Sequence, residues 1–472
     1  MEAGGTGELG IMGGTRDFLP EAMLRREYVI HTLKQIFGKY GFLPLETPTI
    51  ERWETLAGKY GEEGEKLIYH VVSSGSLEEL QPGKRTDLAL RYDLTVPLAR
   101  VVGMYGDKMV PDPANPKRQI RLLPRPFKRY QIQPVWRGDR PGAGRYREFY
   151  QCDADVVGSD SLLVEAELIA LKVEAFKALG FADFTVKINH RQLLAGLIAW
   201  AGIPAAQEAT VLSSIDKLDK LPAQKVKAEL TGKGLDAGQI DALFGVIELE
   251  GSGLGLLAAA GERLAGSAAA GEGIGDLKKL LGYLDRFSVD PAHYRIDLSL
   301  ARGLDYYTGT IFETVTSAQV GSVGAGGRYD KLIHTLSGGR ADQPACGISF
   351  GLDRIYAAME ELGLLTQVTG STQVLVLNFS DPGIEEVTFN LVRELRTGGI
   401  RTELGYNEEN FTPNGMRAQL GYANEKQVAY AVIVGPDELA GGVALLRDLA
   451  TRKQERLPLA EVAGELTRRL GP

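Results

Sequence analysis

Residues 302–313 read Arg-Gly-Leu-Asp-Tyr-Tyr-Thr-Gly-Thr-Ile-Phe-Glu. Arg302 sits against Gly303, and a carboxylate (Asp305) and two phenols (Tyr306 and Tyr307) follow. Glycines let the backbone approach a ligand closely. An arginine in such a turn can aim its planar fork at a phosphate or a carboxylate. The plain alternative is a hairpin with a surface arginine and two half-buried tyrosines. A second candidate pair is Asp93 and Thr95, two residues apart in Leu-Arg-Tyr-Asp-Leu-Thr-Val-Pro. On extended backbone they share a face, and a carboxylate beside a hydroxyl suits an α-ammonium group. A strand end followed by a turn is the simpler account of the same residues.

The richest stretch is Arg125–Gly158. Gln131–Trp136 alternates as a strand, and 137–145 is a loop of turn-forming residues that carries Arg137, Arg140 and Arg145. Tyr146–Val157 reads as a second strand, which predicts an antiparallel hairpin. Its period of two places Arg147, Phe149, Gln151, Asp153 and Asp155 on one face. Two aspartates and a glutamine on one strand face are unfavourable unless that face is wet or holds a polar ligand. Further on, Gly347-Ile-Ser-Phe-Gly-Leu-Asp-Arg354 reads as a strand, a glycine and then a helix, and the stretch ends in Arg354.

These residues need elements to hold them. Gly14-Thr15-Arg16-Asp17-Phe18-Leu19-Pro20 leads into a helix, because Leu24, Tyr28, Val29, Leu33, Ile36, Phe37 and Tyr40 recur at helical spacing. Pro20 can start it and Gly41 can end it. Phe42–Leu45 reads as a short strand, residues 107–118 as a proline-punctuated loop, and Thr310–Thr316 as a strand. From 188 to about 289 the chain is rich in Ala, Leu, Lys and Glu with helical periodicity. Gly251–Gly255 and Gly271–Gly275 imitate part of a dinucleotide fingerprint, but neither follows a strand, so both read as inter-helix loops. After a linker at 366–371, alternating strands and helices from Val374 to the end predict a small α/β domain.

At 472 residues, two or three domains are expected. A hydrophobic fraction of 44% and a charged fraction of 24% describe an ordinary globular chain. The two cysteines, Cys152 and Cys346, support neither a disulfide framework nor a zinc site, and fit a reducing cytosol. No apolar run of 18 residues suggests a membrane span. A net charge of -8 argues weakly against a nucleic-acid partner, though a local basic patch would still permit one.

The 302–313 run resembles the family-specific signature of histidyl-tRNA synthetases, which are class II aminoacyl-tRNA synthetases. The helix, turn and strand after Gly14 look like motif 1, 129–158 like motif 2, and 347–354 like motif 3. Tyr-Asp-Leu-Thr at 92–95 is the form typical of eukaryotic and archaeal-like members, where many bacterial ones carry Pro-Glu-Gly-Thr. The resemblance implies an α+β fold: an antiparallel sheet flanked by helices, with an inserted helical domain and a C-terminal α/β anticodon-binding domain. The implied boundaries are 1–187 and 293–365 for the catalytic core, 188–292 for the insertion and 371–472 for the anticodon-binding domain. The implied activity is ATP-dependent formation of histidyl-adenylate, with Mg²⁺, and transfer of histidine to the 3′ end of tRNA(His). By the same resemblance Arg137 and Arg302 act at the reacting groups, and Arg354 joins them at ATP. Asp93, Thr95 and Gln151 hold the ammonium, while Asp155, Tyr306 and Tyr307 read the imidazole. A cytoplasmic homodimer paired through motif 1 is also implied. Two rivals are a histidine-sensing paralogue, like the regulatory subunit of ATP phosphoribosyltransferase, and a tRNA-sensing domain of a stress kinase. The first usually lacks the 302–313 signature and the C-terminal domain; the second should come fused to a kinase.

Overall fold

The computed structural model describes residues 9–72, 86–142, 144–301, 306–339, 341–365, 372–406 and 411–471, apart from the side chains of residues 62 and 63. Arg302, Gly303 and Asp305 lie outside the described residues, as does the 366–371 linker. The chain forms two compact units, one of residues 1–17 and 26–365, the other of 18–25 and 366–472.

The first unit is built on an eight-stranded sheet. In chain order its strands are β1 (Leu43–Pro44), β2 (Phe127–Trp136), β3 (Glu148–Val157), β4 (Phe184–His190), β5 (Tyr294–Ile296), β6 (Thr310–Thr316), β7 (Gly324–Arg328) and β8 (Ala345–Gly351). They lie in the order β1-β2-β3-β8-β7-β6-β4-β5. The six inner strands are antiparallel, and the short edge strands β1 and β5 pair in parallel. The helices α1 (Pro20–Lys39) and α3 (Leu163–Ala178) supply the apolar cover of one face; α2 is Thr95–Tyr105. Phe350 on β8 stands 5.9 Å from the ring of Phe37 on α1 and 5.7 Å from that of Phe176 on α3. That aromatic contact is the core of the covered face.

The other face is polar. Two registers run across it: Arg129, Asp155, Gly347, Gly327, Ile311 and Asn189 lie side by side, and so do Gln131, Asp153, Ser349, Ala325, Glu313 and Lys187. Directly opposed residues share a face, so charge from β2 and β3 meets small residues on β8 and β7. The small residues are required there. A Cβ on Gly347 would stand 1.9 Å from Asp155 Oδ1, and one on Gly327 would stand 2.8 Å from the ring of Tyr307.

Between β4 and β5 the chain is helical, from α4 (Arg191–Trp200) through four helices between Glu208 and Arg263 to α5 (Ala268–Arg286). Helices therefore begin at Arg191, since Ile188–His190 complete the sheet strand β4. The strand ends by tying the chain on both sides of the insertion. Asn189 Nδ2 donates to the carbonyls of Leu298 (3.2 Å) and Leu300 (3.0 Å), and the Arg191 N–H donates to Gly309 O (2.9 Å). Gly271–Gly275 is not a loop but part of α5, and Gly253 already starts a helix. The reason is packing. A Cβ on Gly196 of α4 would lie 2.4 Å from Ala270 N, and one on Gly273 would lie 2.7 Å from Leu193 N. Glycines at this crossing let α4 and α5 touch backbone to backbone, which outweighs their poor helix propensity.

The 107–118 loop is also corrected. Met109–Asp112 and Asn115–Arg121 pair as an antiparallel hairpin with a register shift at Pro111/Asp112. Its prolines are tolerated because a two-stranded ribbon consists of edges.

The second unit carries a five-stranded sheet of strands β9 (Val374–Val376), β10 (Thr402–Leu404), β11 (Tyr430–Ile433), β12 (Val443–Asp448) and β13 (Gln454–Pro458). Their order is β10-β9-β11-β12-β13. Helices Pro382–Thr397, Pro413–Glu425 and Val462–Leu470 accompany it, and β12 and β13 follow one another as an antiparallel hairpin rather than alternating with a helix. Thr412 caps the second helix through Gly415 N (3.0 Å).

The helix crossing makes a paired prediction. Gly196→Ala should destabilise the protein by about 1–3 kcal/mol through overpacking. Gly282→Ala, on the exposed side of α5 with nothing within 4 Å of the new Cβ, should stabilise by about 0.5–1 kcal/mol. Denaturant unfolding of both variants checks it; equal effects would show that the crossing is not glycine-dependent.

Candidate active site

The polar face opens into a cavity of about 380 Å³. Asp93, Thr95, Arg137, Gln151, Asp155, Tyr306, Tyr307 and Arg354 all line it. Arg302, the remaining residue assigned from sequence, lies outside the described residues.

Asp93 and Thr95 reach the cavity by a route other than the expected extended backbone. Thr95 is the first residue of α2, and Leu94 before it has helical backbone angles. Asp93 Oδ1 accepts the Val96 N–H at 3.1 Å and the Tyr60 hydroxyl at 3.0 Å. The carboxylate thus satisfies a free amide of the first turn, where the helix dipole favours negative charge. Burial nonetheless dominates and raises its pKa, with Val96, Arg137 and Tyr60 opposing.

Asp155 is held from two sides. Its Oδ2 lies 2.8 Å from Arg129 Nη2, and the Tyr329 hydroxyl donates to its Oδ1. Arg129 is fully buried and also donates to Leu94 O (3.2 Å) and Gln131 Oε1 (3.4 Å). Asp153 is buried beside them and shares a hydrogen bond with Ser349. Gln151 Nε2 donates to the Ser349 hydroxyl at 3.2 Å. Burial raises the pKa of Asp153; Arg129 opposes this and the Asp155 charge adds to it. Burial likewise raises Asp155, against Arg129 and Tyr329.

The arginines stand around this wall. Arg137 follows β2, donates through Nε to Tyr92 O (3.1 Å) and lies 4.2 Å from the centre of the Tyr92 ring. Arg354 is fixed by Gly144 O (3.2 Å) and Ser322 O (2.9 Å). Next to it in sequence, Asp353 draws the elements together. It accepts from Arg26 on α1, from Arg16 and from the Tyr150 N–H. Tyr306 and Tyr307 meet edge to face at 5.0 Å, and Tyr306 shares a hydrogen bond with Thr95.

Sequence reasoning missed Tyr60, Arg129 and Tyr329, which hold the carboxylates. It placed Asp153 on the correct face without a role. Arg129 was legible in part, since it alternates with Gln131 toward the same face; nothing local marks Tyr60 or Tyr329. The arrangement offers buried acceptors to a cationic ligand and arginines to an anionic one within a single cavity.

Comparison with known proteins fixes what kind of protein carries this cavity. Residues 373–469 match the family model of an anticodon binding domain. That match, on a chain whose sheet domain holds the cavity, defines the class: an aminoacyl-tRNA ligase. Residues 14–355 match the family model of histidyl-tRNA synthetase, and the chain belongs to that family. A histidine–tRNA ligase of Gloeobacter violaceus is 74% identical over 460 residues, 98% of each chain. The crystal structure of histidyl-tRNA synthetase from Nostoc sp. PCC 7120 superposes with a TM-score of 0.82 at 30% identity, covering 98% of this chain and 99% of that one. A structure titled ATP phosphoribosyltransferase regulatory subunit/histidyl-tRNA synthetase, from Bacillus halodurans, shares the fold at 20% identity, with a TM-score of 0.69 over 89% of this chain and 98% of that one. ATP is a substrate throughout the family. No helix among the described residues is long and apolar enough to cross a membrane.

The raised carboxyls give a pH signature. Asp153 holds its proton more tightly in the fold than in the unfolded chain, so folding takes up protons there. Stability is then withdrawn as pH rises from about 4, the unfolded carboxyl value, through the raised folded value. Asp153→Asn has no such proton. In ligand-free protein the variant should melt higher than the wild type, by a margin that widens between about pH 4 and pH 8. A margin independent of pH would mean that Asp153 carries no burial penalty.

Proposed function

We propose that this cavity activates L-histidine with ATP, releasing pyrophosphate, and that histidine then passes from the adenylate to the 3′ end of tRNA(His). The observation that carries the reading is the facing of a carboxylate wall by arginines in one cavity of the family's catalytic domain. The first step needs little covalent help. It requires the carboxylate oxygen of histidine in line with the α-phosphorus, and positive charge where negative charge accumulates.

Asp93, Thr95 and Gln151 hold the α-ammonium. Asp155 and the Tyr306–Tyr307 pair read the imidazole, with Arg129 and Tyr329 fixing the Asp155 carboxylate. Arg137, stacked between Tyr92 and Phe149, meets the α-phosphate and the substrate carboxylate together with Arg302. Arg354 takes the adenine and the γ-phosphate. Mg²⁺ enters with the phosphates of ATP, since no group of three or more His, Cys, Asp or Glu side chains among the described residues could hold a metal ion by itself. Magnesium is commonly held in that way, largely by substrate phosphates.

The division of labour follows the domains. The core, up to His190 and again from 293 to 365, performs the first step, the helical insertion at 191–292 leans on the acceptor stem, and 371–472 binds the anticodon. Two chains pair through the motif 1 region, consistent with the exposure of Leu43 on the edge strand β1 and of Ile50 just after it. The working compartment is the cytoplasm.

ATP–pyrophosphate exchange with each of the twenty amino acids tests the reading, and histidine alone should support it. Arg302→Ala should lower kcat of exchange by about 10²–10³-fold, the usual loss of one preorganised donor, with a smaller effect on KM. Exchange within about twofold of wild type, under about 0.5 kcal/mol, would remove Arg302 from the reaction. Exchange supported by a different amino acid would overturn the substrate assignment.

A further inference from the structure

The segment before α1 is tied to two parts of the cavity rim at once. Residues 12–15 form a turn, in which the Thr15 N–H donates to Met12 O (3.0 Å). The Arg147 N–H donates to Gly14 O (2.8 Å), and Arg147 Nη1 donates to Gly13 O (3.1 Å). Arg147 closes the base of the loop between β2 and β3, because its carbonyl accepts the Arg137 N–H at 2.9 Å. Gly14 has a φ of +87°, and a Cβ there would stand 2.8 Å from Arg147 Cγ and 2.9 Å from Pro141 Cγ. Glycine permits both the conformation and the close approach.

Arg16 carries the tie across to a second element. Its guanidinium lies 3.7 Å from the centre of the Tyr146 ring, and its Nη2 donates to Asp353 Oδ1. Tyr146 is two residues past Gly144 on the loop, and Asp353 precedes Arg354 in the first turn of the helix Leu352–Glu361. Gly144 and Arg354 are themselves joined, since Arg354 Nε donates to Gly144 O at 3.2 Å. Arg16 therefore spans the same two elements that Arg354 spans. Arg354, Tyr146 and Asp353 line the cavity, whereas Arg16 is not part of its lining. The buried Asp353 carboxylate also accepts from Arg26 Nη1 and from the Tyr150 N–H (2.9 Å). A second arginine on a carboxylate already neutralised adds little beyond the geometry it fixes.

We propose that Arg16 is a positioning residue for ATP. It sets the separation between the β2–β3 loop and the Leu352–Glu361 helix, and so the place of the Arg354 guanidinium. The inference rests on the reading of Arg354 as a nucleotide contact. The flat face of the Arg16 guanidinium takes the Tyr146 ring while its edge takes Asp353, a combination that a planar cation provides and a lysine ammonium does not.

The test measures pyrophosphate exchange for wild type, Arg16→Ala and Arg16→Lys, with ATP and histidine varied separately. Arg16→Ala should raise the KM for ATP by about tenfold, within the range for a small misplacement at a reacting site, and leave the KM for histidine within about twofold. Arg16→Lys should also raise the KM for ATP, by about threefold or more, because it keeps the charge and loses the planar bridge. Thermal melts of both variants should stay close to wild type, since Asp353 keeps Arg26 and Tyr150. Trypsin should cut after Arg145, which is exposed on the loop, faster in both variants than in wild type. An equal rise in the two KM values would make Arg16 merely structural and overturn the proposal. A wild-type KM for ATP in both variants would overturn it too. Arg354→Ala, measured alongside, should raise the KM for ATP at least as much as Arg16→Ala. No rise there would remove the reading of Arg354, and the inference with it.

Discussion

The buried ion pair between Arg129 and Asp155 is the constraint around which the cavity is arranged. Arg129 is fully buried and Asp155 is 3% exposed, with 2.8 Å between Nη2 and Oδ2. Placing two charges in a sheet interior is unfavourable unless each keeps near-ideal partners. Arg129 gains the Leu94 carbonyl, and Asp155 gains the Tyr329 hydroxyl. Through Leu94 the same guanidinium reaches the turn that carries Asp93 and opens α2. One cation therefore orders the hairpin of β2 and β3 against the start of that helix, and so both ends of the carboxylate wall.

Small residues supply the space that this charge arrangement leaves for a ligand. Gly347 admits the Asp155 carboxylate, and Gly327 admits the Tyr307 ring. Ala325 and Ser349 continue the floor in the next register. The opposite face of the sheet is filled by aromatic contacts of Phe350 with Phe37 and Phe176. A rigid, apolar back lets the polar front hold unsatisfied acceptors without collapsing onto them.

The sequence made the alternating elements legible and hid the long-range ones. Period-two patterning over 146–157 put Gln151, Asp153 and Asp155 on one face, and the Thr310–Thr316 strand and the helix after Gly351 followed from equally strong local signals. The Asp93 bond to the Val96 N–H is local and belongs to a helix start that the extended reading of 93–95 passed over, whereas the Tyr60 hydroxyl on the same oxygen comes from far back in the chain and left no local signal. The Gly271–Gly275 run read as a loop because glycine is a poor helix former, and only the contact with α4 explains why it is helical. The hairpin at 109–121 was concealed by three prolines that edge strands tolerate. Arg302, from which the resemblance was clearest, is a residue whose role rests on sequence alone.

A double-mutant cycle of Arg129→Met and Asp155→Leu, followed by denaturant unfolding, tests the central claim most directly. Each single change strands one buried charge and should cost about 3–5 kcal/mol. The double change removes both charges and should cost less than the sum by about 2 kcal/mol or more, the signature of a coupled pair. Additive losses would contradict the account, since the two side chains would then contribute to the cavity independently.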